Sequence, residues 1–380
     1  MWIERLSLTD FRNHASLTLQ LDRRPVVLAG PNGAGKTNVL EAVSLLSAGQ
    51  GLRRVPFAEL ARRQGGGGWS VAGTLRTASG AFDIGTGQAA ATEAERTGRI
   101  VRVNGETQSG SGVLADHVEM VWLTPSMDGL FTGAASERRR FLDRLVLCFD
   151  AAHGPRSGQF ERAMRQRNRL LSDGVRDASQ FTGLEALMAE TGAAIAAARV
   201  EALAALVAAI VARRERDPES PFPWSTLALD GTLERALGSG QPAVEVEDDY
   251  AATLAATRER DRAAGRTLDG PHRTDLLVGH GPKAMPADAS STGEQKSLLI
   301  GLVLAHASLI AEANDGAAPI LLLDEIAAHL DDRRRAALFG EILRLGSQAW
   351  LTGTDRAAFS SLENDAQFLR VEEGRIAAAA

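Results

Sequence analysis

Cysteine, lysine and tyrosine are nearly missing from these 380 residues. The one cysteine, Cys148, excludes a disulfide framework, and its neighbours Leu145, Val146, Leu147 and Phe149 read as those of a small core residue in a reducing compartment. Lysine stands only at 36, 283 and 296, against 39 arginines, so each ammonium is a choice against the chain's habit. No charged-then-apolar leader opens the sequence and no unbroken apolar run of about 18 residues interrupts it, so the expectation is a cytoplasmic protein with no membrane partner. A formal charge of −6 excludes a uniformly basic nucleic-acid binder. It leaves room for a local basic surface: residues 1–75 carry eight Arg and one Lys against five acids, a balance of +4.

What is present is Gly30-Pro31-Asn32-Gly33-Ala34-Gly35-Lys36-Thr37, which meets the phosphate-loop pattern G-x-x-x-x-G-K-[ST] at all four fixed positions. Residues 24–29 before it are an apolar run of strand length, and Val39, Ala42, Val43 and Leu46 recur at helical spacing over 38–46 after it. The loop thus lies at a strand-to-helix junction, where amide N–H groups and a helix N-terminus converge on phosphate. Lys36 is placed for the β- and γ-phosphates and Thr37 for Mg²⁺. A compact ammonium suits that task, which explains a lysine here.

Around the loop the pattern is one of strands. Residues 1–20 alternate as two strands about a turn at Arg12-Asn13-His14, a position from which these side chains reach a base or ribose, or simply solvate a turn. Arg53, Arg54, Arg62 and Arg63 follow, suited to DNA phosphates or to a solvated face. Short strands are expected at 69–74, 81–84 and 100–103, with a hairpin at Asn104-Gly105 and a mobile loop over 86–98. A buried strand over 118–123 ends in residues 124–128. A helix then opens at Ser136-Glu137-Arg138-Arg139-Arg140-Phe141-Leu142-Asp143, its Arg triplet polar and its Phe141 and Leu142 core-facing. Two antiparallel helices are expected over 156–172 and 180–216, then a strand over 224–229 and helices over 231–237 and 247–264. A tight turn over 268–276 returns the chain to strands.

Two later motifs complete a site. Ser290-Ser291-Thr292-Gly293-Glu294-Gln295-Lys296 contains a capping box, Ser291 with Glu294, so a helix starts there with free amides suited to a γ-phosphate. Twenty-nine residues after Gln295, the apolar strand 319–323 ends in Asp324-Glu325, where Asp324 suits Mg²⁺ and Glu325 suits the attacking water. A further strand over 348–353 precedes Thr354 and Asp355, candidate γ-phosphate sensors.

A phosphate loop, a Ser-Gly-Gln-type signature before a helix and an Asp-Glu strand, in that order, resemble an ABC-type ATPase head. The 288 residues between Lys36 and Asp324 imply an inserted lobe and the SMC-like branch. Within it, Leu8-Thr9-Asp10-Phe11-Arg12-Asn13, residues 35–42, Ser136 to Asp143 as quoted, Arg165-Gln166-Arg167-Asn168, Gly270-Pro271-His272-Arg273 and Ala327-Ala328-His329-Leu330-Asp331 resemble the RecF family of bacterial recombination mediators, over residues 1 to about 375. The resemblance implies an α/β fold: a mixed sheet with flanking helices and a phosphate loop over 1–145 and 268–380, with a mainly helical second lobe over 146–267. It implies ATP and Mg²⁺ as cofactors, a head-to-tail ATP-dependent dimer, double-stranded DNA at gaps and single-strand/double-strand junctions, RecO and RecR as partners, and slow hydrolysis that releases DNA. Carried over residue by residue, Gly30 to Asn38, Arg12, Asn13 and Asp331 bind nucleotide, Thr37 and Asp324 hold the metal, Lys36 and Glu325 are catalytic, and Ser291, Thr292, Gly293 and Gln295 act on the partner's ATP. Two departures from ABC heads stand out: residues 124–128 hold no glutamine, and Thr354-Asp355 replace a late histidine. A transporter motor subunit and a small-molecule kinase share the loop; the long insert counts against the first, and the second leaves the signature helix and Asp-Glu strand without work.

Overall fold

Apolar residues at period two and at period 3.6 sort the described residues of this chain into three sheets and the helices around them. The computed structural model describes residues 1–90 and 98–378. The chain divides into two compact units, Met1–Asp128 with Asp217–Phe222 and Leu299–Ala380, and Gly129–Arg216 with Pro223–Leu298. The lobe expected over 146–267 falls within the second unit except for 217–222, and the second unit takes in more chain at both ends.

The first unit opens with β1 (Trp2–Phe11) and β2 (His14–Gln20), a hairpin whose turn is Arg12-Asn13. A bulge in β1 between Ile3 and Arg5 lets Ile3 and Leu6, three residues apart, both be buried. Then come β3 (Val26–Ala29), α1 (Lys36–Ser44), β4 (Trp69–Thr77), β5 (Gly80–Gln88), β6 (Ile100–Val103), β7 (Glu106–Thr107) and β8 (Met120–Leu123). Asn104 and Gly105, both at positive φ, turn β6 into β7 as expected. The loop expected over 86–98 gives up its start to β5, and residues 91–97 lie outside the described residues.

The second unit holds α2 (Ala135–Leu147), α3 (His153–Ser172), α4 (Ser179–Arg216), β9 (Ser225–Asp230), α5 (Thr232–Gly238), α6 (Ala243–Ala256), α7 (Arg258–Ala264), β10 (Asp275–His280) and β11 (Met285–Pro286). α3 and α4 are antiparallel: Phe160 approaches Gly192 while Arg167 pairs with Glu185. The single helix expected over 247–264 is two. Thr257, whose hydroxyl bonds back to the Thr253 carbonyl and to Asp261, breaks it with non-helical backbone.

The division between units falls inside α8 (Thr292–Ala313). β12 (Ile320–Leu323), α9 (Asp332–Leu345), β13 (Ala349–Gly353), β14 (Gln367–Glu372) and β15 (Arg375–Ala378) complete the first unit. Its two sheets are β15-β14-β3-β13-β12-β8, parallel but for β15, and the antiparallel β2-β1-β4-β5-β6-β7; the second unit has β11-β10-β9. β12 is buried along its whole length, which is why it reads as four consecutive aliphatics without alternation. By length and composition α4 and α8 are both apolar enough to cross a membrane. α8 is mostly buried in protein, and α4 carries Arg199, buried against Asp143 and Glu234.

Candidate functional site

The phosphate loop is built by what flanks it. Gly30 follows β3 so closely beside β14 that a Cβ there would lie 2.1 Å from the Val371 carbonyl oxygen, so only glycine fits. Gly35 takes φ 110°, where a side chain would also meet Asn13. Asn13 reaches across from the β1–β2 turn. Its amide donates to the Ala34 carbonyl at 3.2 Å and its oxygen accepts from Asn38 Nδ2 at 2.7 Å. The Gly374 N–H, from the β14–β15 turn, donates to the same Ala34 carbonyl at 3.1 Å, and the Gly374 carbonyl bonds His14 Nδ1 at 2.8 Å. Two hairpin turns thus brace one loop.

Lys36 is 4 % exposed, and its Nζ donates to the Gly30 and Pro31 carbonyls at 2.7 and 3.0 Å. Burial pushes the ammonium's pKa down, while Glu325 and Asp324 act to raise it. α1 begins at Lys36, two residues before its expected start, because the loop's amides already continue into the helix. Pro31, Asn32 and Gly33 are exposed on the loop.

Asp324 follows β12 directly and is joined by hydroxyls to the loop and to β13. Thr37 Oγ1 donates to Asp324 Oδ1 at 3.0 Å, and Thr352 Oγ1, on β13, donates to the same oxygen at 2.7 Å. Thr352 Oγ1 also accepts from the Glu325 N–H at 2.8 Å, and Glu325 sits at φ 50°, a left-handed turn that brings it off the strand. Sequence reading placed Thr352 in the strand before Thr354 and Asp355 but gave it no role of its own, although a lone hydroxyl in the apolar run Trp350-Leu351-Thr352 was a visible signal. One carboxylate and one hydroxyl at the phosphate loop are hard oxygen donors of the kind that hold Mg²⁺ together with nucleotide phosphates. Among the described residues no cluster of three His, Cys, Asp or Glu offers an all-protein metal cage.

Other expected residues also have partners within the chain. The Arg12 guanidinium is bidentate on Glu41 at 2.8 Å and donates to the Glu59 carbonyl. Arg53 joins Glu41 and Asn38, and Arg62 joins Asp10. Asp331 caps α9 by accepting from the Arg334 N–H at 2.8 Å, and Asp355 caps a 3-10 turn through Ala357 N–H. Thr124 bonds Ser126 at 2.8 Å.

In the second unit, Ser291 and Glu294 form the expected capping box, Ser291 donating from N and Oγ to Oε2 at 3.1 and 2.9 Å. Lys283 adds an ion pair, and Lys283 first and then Ser291 lower the Glu294 pKa to about 2. Ser291, Thr292 and Gly293 are exposed, whereas Gln295 is buried and its amide donates to the Asp288 and Ser290 carbonyls. The Arg triplet is not simply solvated. Arg138 is bidentate on Asp275 at 2.7 Å, and Arg139 donates to the Thr274 carbonyl. Arg167 is 0 % exposed and binds Glu185, Asp261 and Thr267, so the string Arg165-Gln166-Arg167-Asn168 is a structural clasp. Cys148 is half-buried at the end of α2, not in the core.

A mainly parallel sheet with a phosphate loop after β3, an Asp-Glu pair after β12 and a capped signature helix define an ATPase head of the ABC type, with the extra unit of its SMC-like branch. Comparison narrows this further. The model described as the RecF/RecN/SMC N terminal domain matches residues 2–376. The chain is 55 % identical over 374 residues to the DNA replication and repair protein RecF of Rhizobium johnstonii, covering 98 % of each chain, and 54 % identical to that of Brucella suis, covering 98 % of this chain and 95 % of the other. It belongs to the RecF family. In fold it is similar to a recombination mediator RecF–ATP complex of the RecFOR pathway (TM-score 0.85, 22 % identity, covering 100 % of this chain and 98 % of that one) and to an Smc head bound to a ScpA winged-helix domain (0.56, 15 %, 100 % and 98 %).

Proposed function

We propose that the chain is an ATP-hydrolysing, DNA-binding protein of replication and recombinational repair, in which ATP joins two heads. The observation that supports this is the connected run Thr37–Asp324–Thr352–Glu325, which ties the phosphate loop through Asp324 and the Thr352 hydroxyl to the backbone N–H of Glu325, the residue suited to activate water. Lys36 and the loop amides bind the β- and γ-phosphates, exchanging the Gly30 and Pro31 carbonyls for them. Thr37 and Asp324 hold Mg²⁺, which when bound neutralises charge between the phosphates. Glu325, turned off the strand and fixed by Thr352, orients and deprotonates the attacking water. The exposed amides and hydroxyl of Ser291, Thr292 and Gly293 act at the partner's γ-phosphate in a head-to-tail dimer, Asn13 and Asn38 shape the loop's nucleotide side, and Asp331 contributes by holding the start of α9.

The dimer so formed binds double-stranded DNA beside gaps and at single-strand/double-strand junctions, meets RecR and RecO there and helps load recombinase; slow hydrolysis opens it. Sedimentation with and without ATP and gapped duplex tests the scheme. The wild type should dimerise with ATP and bind duplex, Lys36→Met should do neither, and Glu325→Gln should dimerise and stay bound. A wild type indifferent to ATP, with Lys36→Met behaving identically, overturns it.

A further inference from the structure

A cavity of about 240 Å³ in the second unit has no part in the site above. It equals the space of roughly eight waters at about 30 Å³ each, enough for a tetrahedral anion with part of its hydration. Its walls come from the start of α2, the first turns of α3, the middle of α4 and the turn at Pro271-His272. The charged groups lining it do not cancel in place. Asp143 is consumed by Arg199 and His153, each at 2.9 Å, and Glu161 pairs outward with Arg165 at 3.5 Å. Arg140 is exposed, with Glu137 3.9 Å away. Arg139 is left: half-buried, it donates one N–H to the Thr274 carbonyl, and among the described residues no carboxylate pairs with it. Arg199 and Arg273 add like charge beside it, while the nearby carboxylates Asp275 and Asp143 are paired with Arg138 and with Arg199 and His153.

A half-buried guanidinium whose neighbouring carboxylates are paired with other groups is stabilised by an anion of its own. Two further lining residues carry buried side-chain atoms without a partner, Ser157 Oγ and His272 Nδ1. His272 Nε2 donates to the Thr267 carbonyl at 3.0 Å and burial keeps the ring neutral, so its Nδ1 is an acceptor and takes no part in holding an anion. Guanidinium plus hydroxyl is the donor set that recognises a phosphate group.

We infer that this cavity is a second phosphate-binding site, separate from the nucleotide loop, in which Arg139 and Ser157 hold the phosphate oxygens. The phosphate is either free or part of a nucleic-acid backbone; the chemistry that recognises both is the same. Inorganic phosphate titrated by calorimetry at constant ionic strength into Lys36→Met, whose nucleotide loop lacks its ammonium, should show saturable one-to-one binding. Arg139→Gln added to that background should weaken it about tenfold or more, the loss of a charge-assisted hydrogen-bond pair, and Ser157→Ala a few-fold. Displacement of the phosphate by a short duplex assigns the site to nucleic acid, and its persistence assigns it to free phosphate. Absence of saturable binding overturns the inference. If Arg139→Gln does not fold, unchanged affinity in Ser157→Ala overturns it equally, since that change removes a proposed donor and leaves the cation and the core in place.

Discussion

Thr352 carries more of the site than its place in an apolar strand suggests. One hydroxyl gives its proton to Asp324 Oδ1 and takes that of the Glu325 amide, so it sets the orientation of both carboxylate residues at once. Thr352→Val keeps shape and burial but strips both bonds. It should lower the ATPase kcat by about tenfold, roughly 1.4 kcal/mol, with ATP affinity close to wild type, because Lys36 and the loop amides are untouched. Steady-state kinetics beside equilibrium ATP binding separates the two; an equal loss in both would make Thr352 a binding residue instead. Asp331 and Asp355, expected as a nucleotide-binding residue and a γ-phosphate sensor, each accept a backbone N–H at a helix start. Aspartate has the same sequence appearance in either task, and only the partner atom distinguishes them.

At the scale of elements, the capping box of α8 couples stability to pH in a definite direction. Glu294 titrates at about 2 in the folded chain against an ordinary 4.5, held down by Lys283 and Ser291. A depressed folded pKa means that its contribution is complete above 4.5 and fades as pH falls toward 2. Thermal scans of wild type and Glu294→Gln should therefore show a gap in Tm at neutral pH that narrows through that interval; a gap that widens on acidification would refute the assignment. The phosphate loop is an element in the same sense. The two turns bracing Ala34 come from opposite ends of the chain, Asn13 and Gly374, a pairing no local pattern announces. The loop's own identity was plain from its glycines and lysine, since phosphate binding demands those residues at that spacing. The start of α1 and the break at Thr257 were not, because each depends on which hydrogen bond wins locally.

Across the whole molecule, each unit has its own apolar core: one around β1, β3, α1 and β4, the other around Phe160, Met188, Ile195 and Tyr250. The second also contains a fully buried cation, Arg167, satisfied by Glu185, Asp261, Thr267 and the Leu254 carbonyl. Arg167→Ala leaves two buried carboxylates short of their partner and should cost about 3–5 kcal/mol in the second unit. Calorimetry should report that loss while the first unit, which holds the phosphate loop, still binds ATP. Loss of ATP binding at a temperature where the second unit of wild type is folded would show that the nucleotide loop depends on it.

By itself the sequence determined the motifs, their order and the chemistry they serve, because a phosphate loop, a capping box and an apolar strand ending in Asp-Glu are each written in adjacent residues. It also determined the strand or helix state of most segments, through period. The tertiary structure alone decided which polar residue spends its hydrogen bonds where: Arg12 on Glu41, Arg138 on Asp275, Gln295 on its own loop, Thr352 between two carboxylate residues. Those partners lie from five to 137 positions apart in the chain. A side chain's partner is fixed by packing of elements that meet only in the folded protein, and no spacing rule along the chain encodes it.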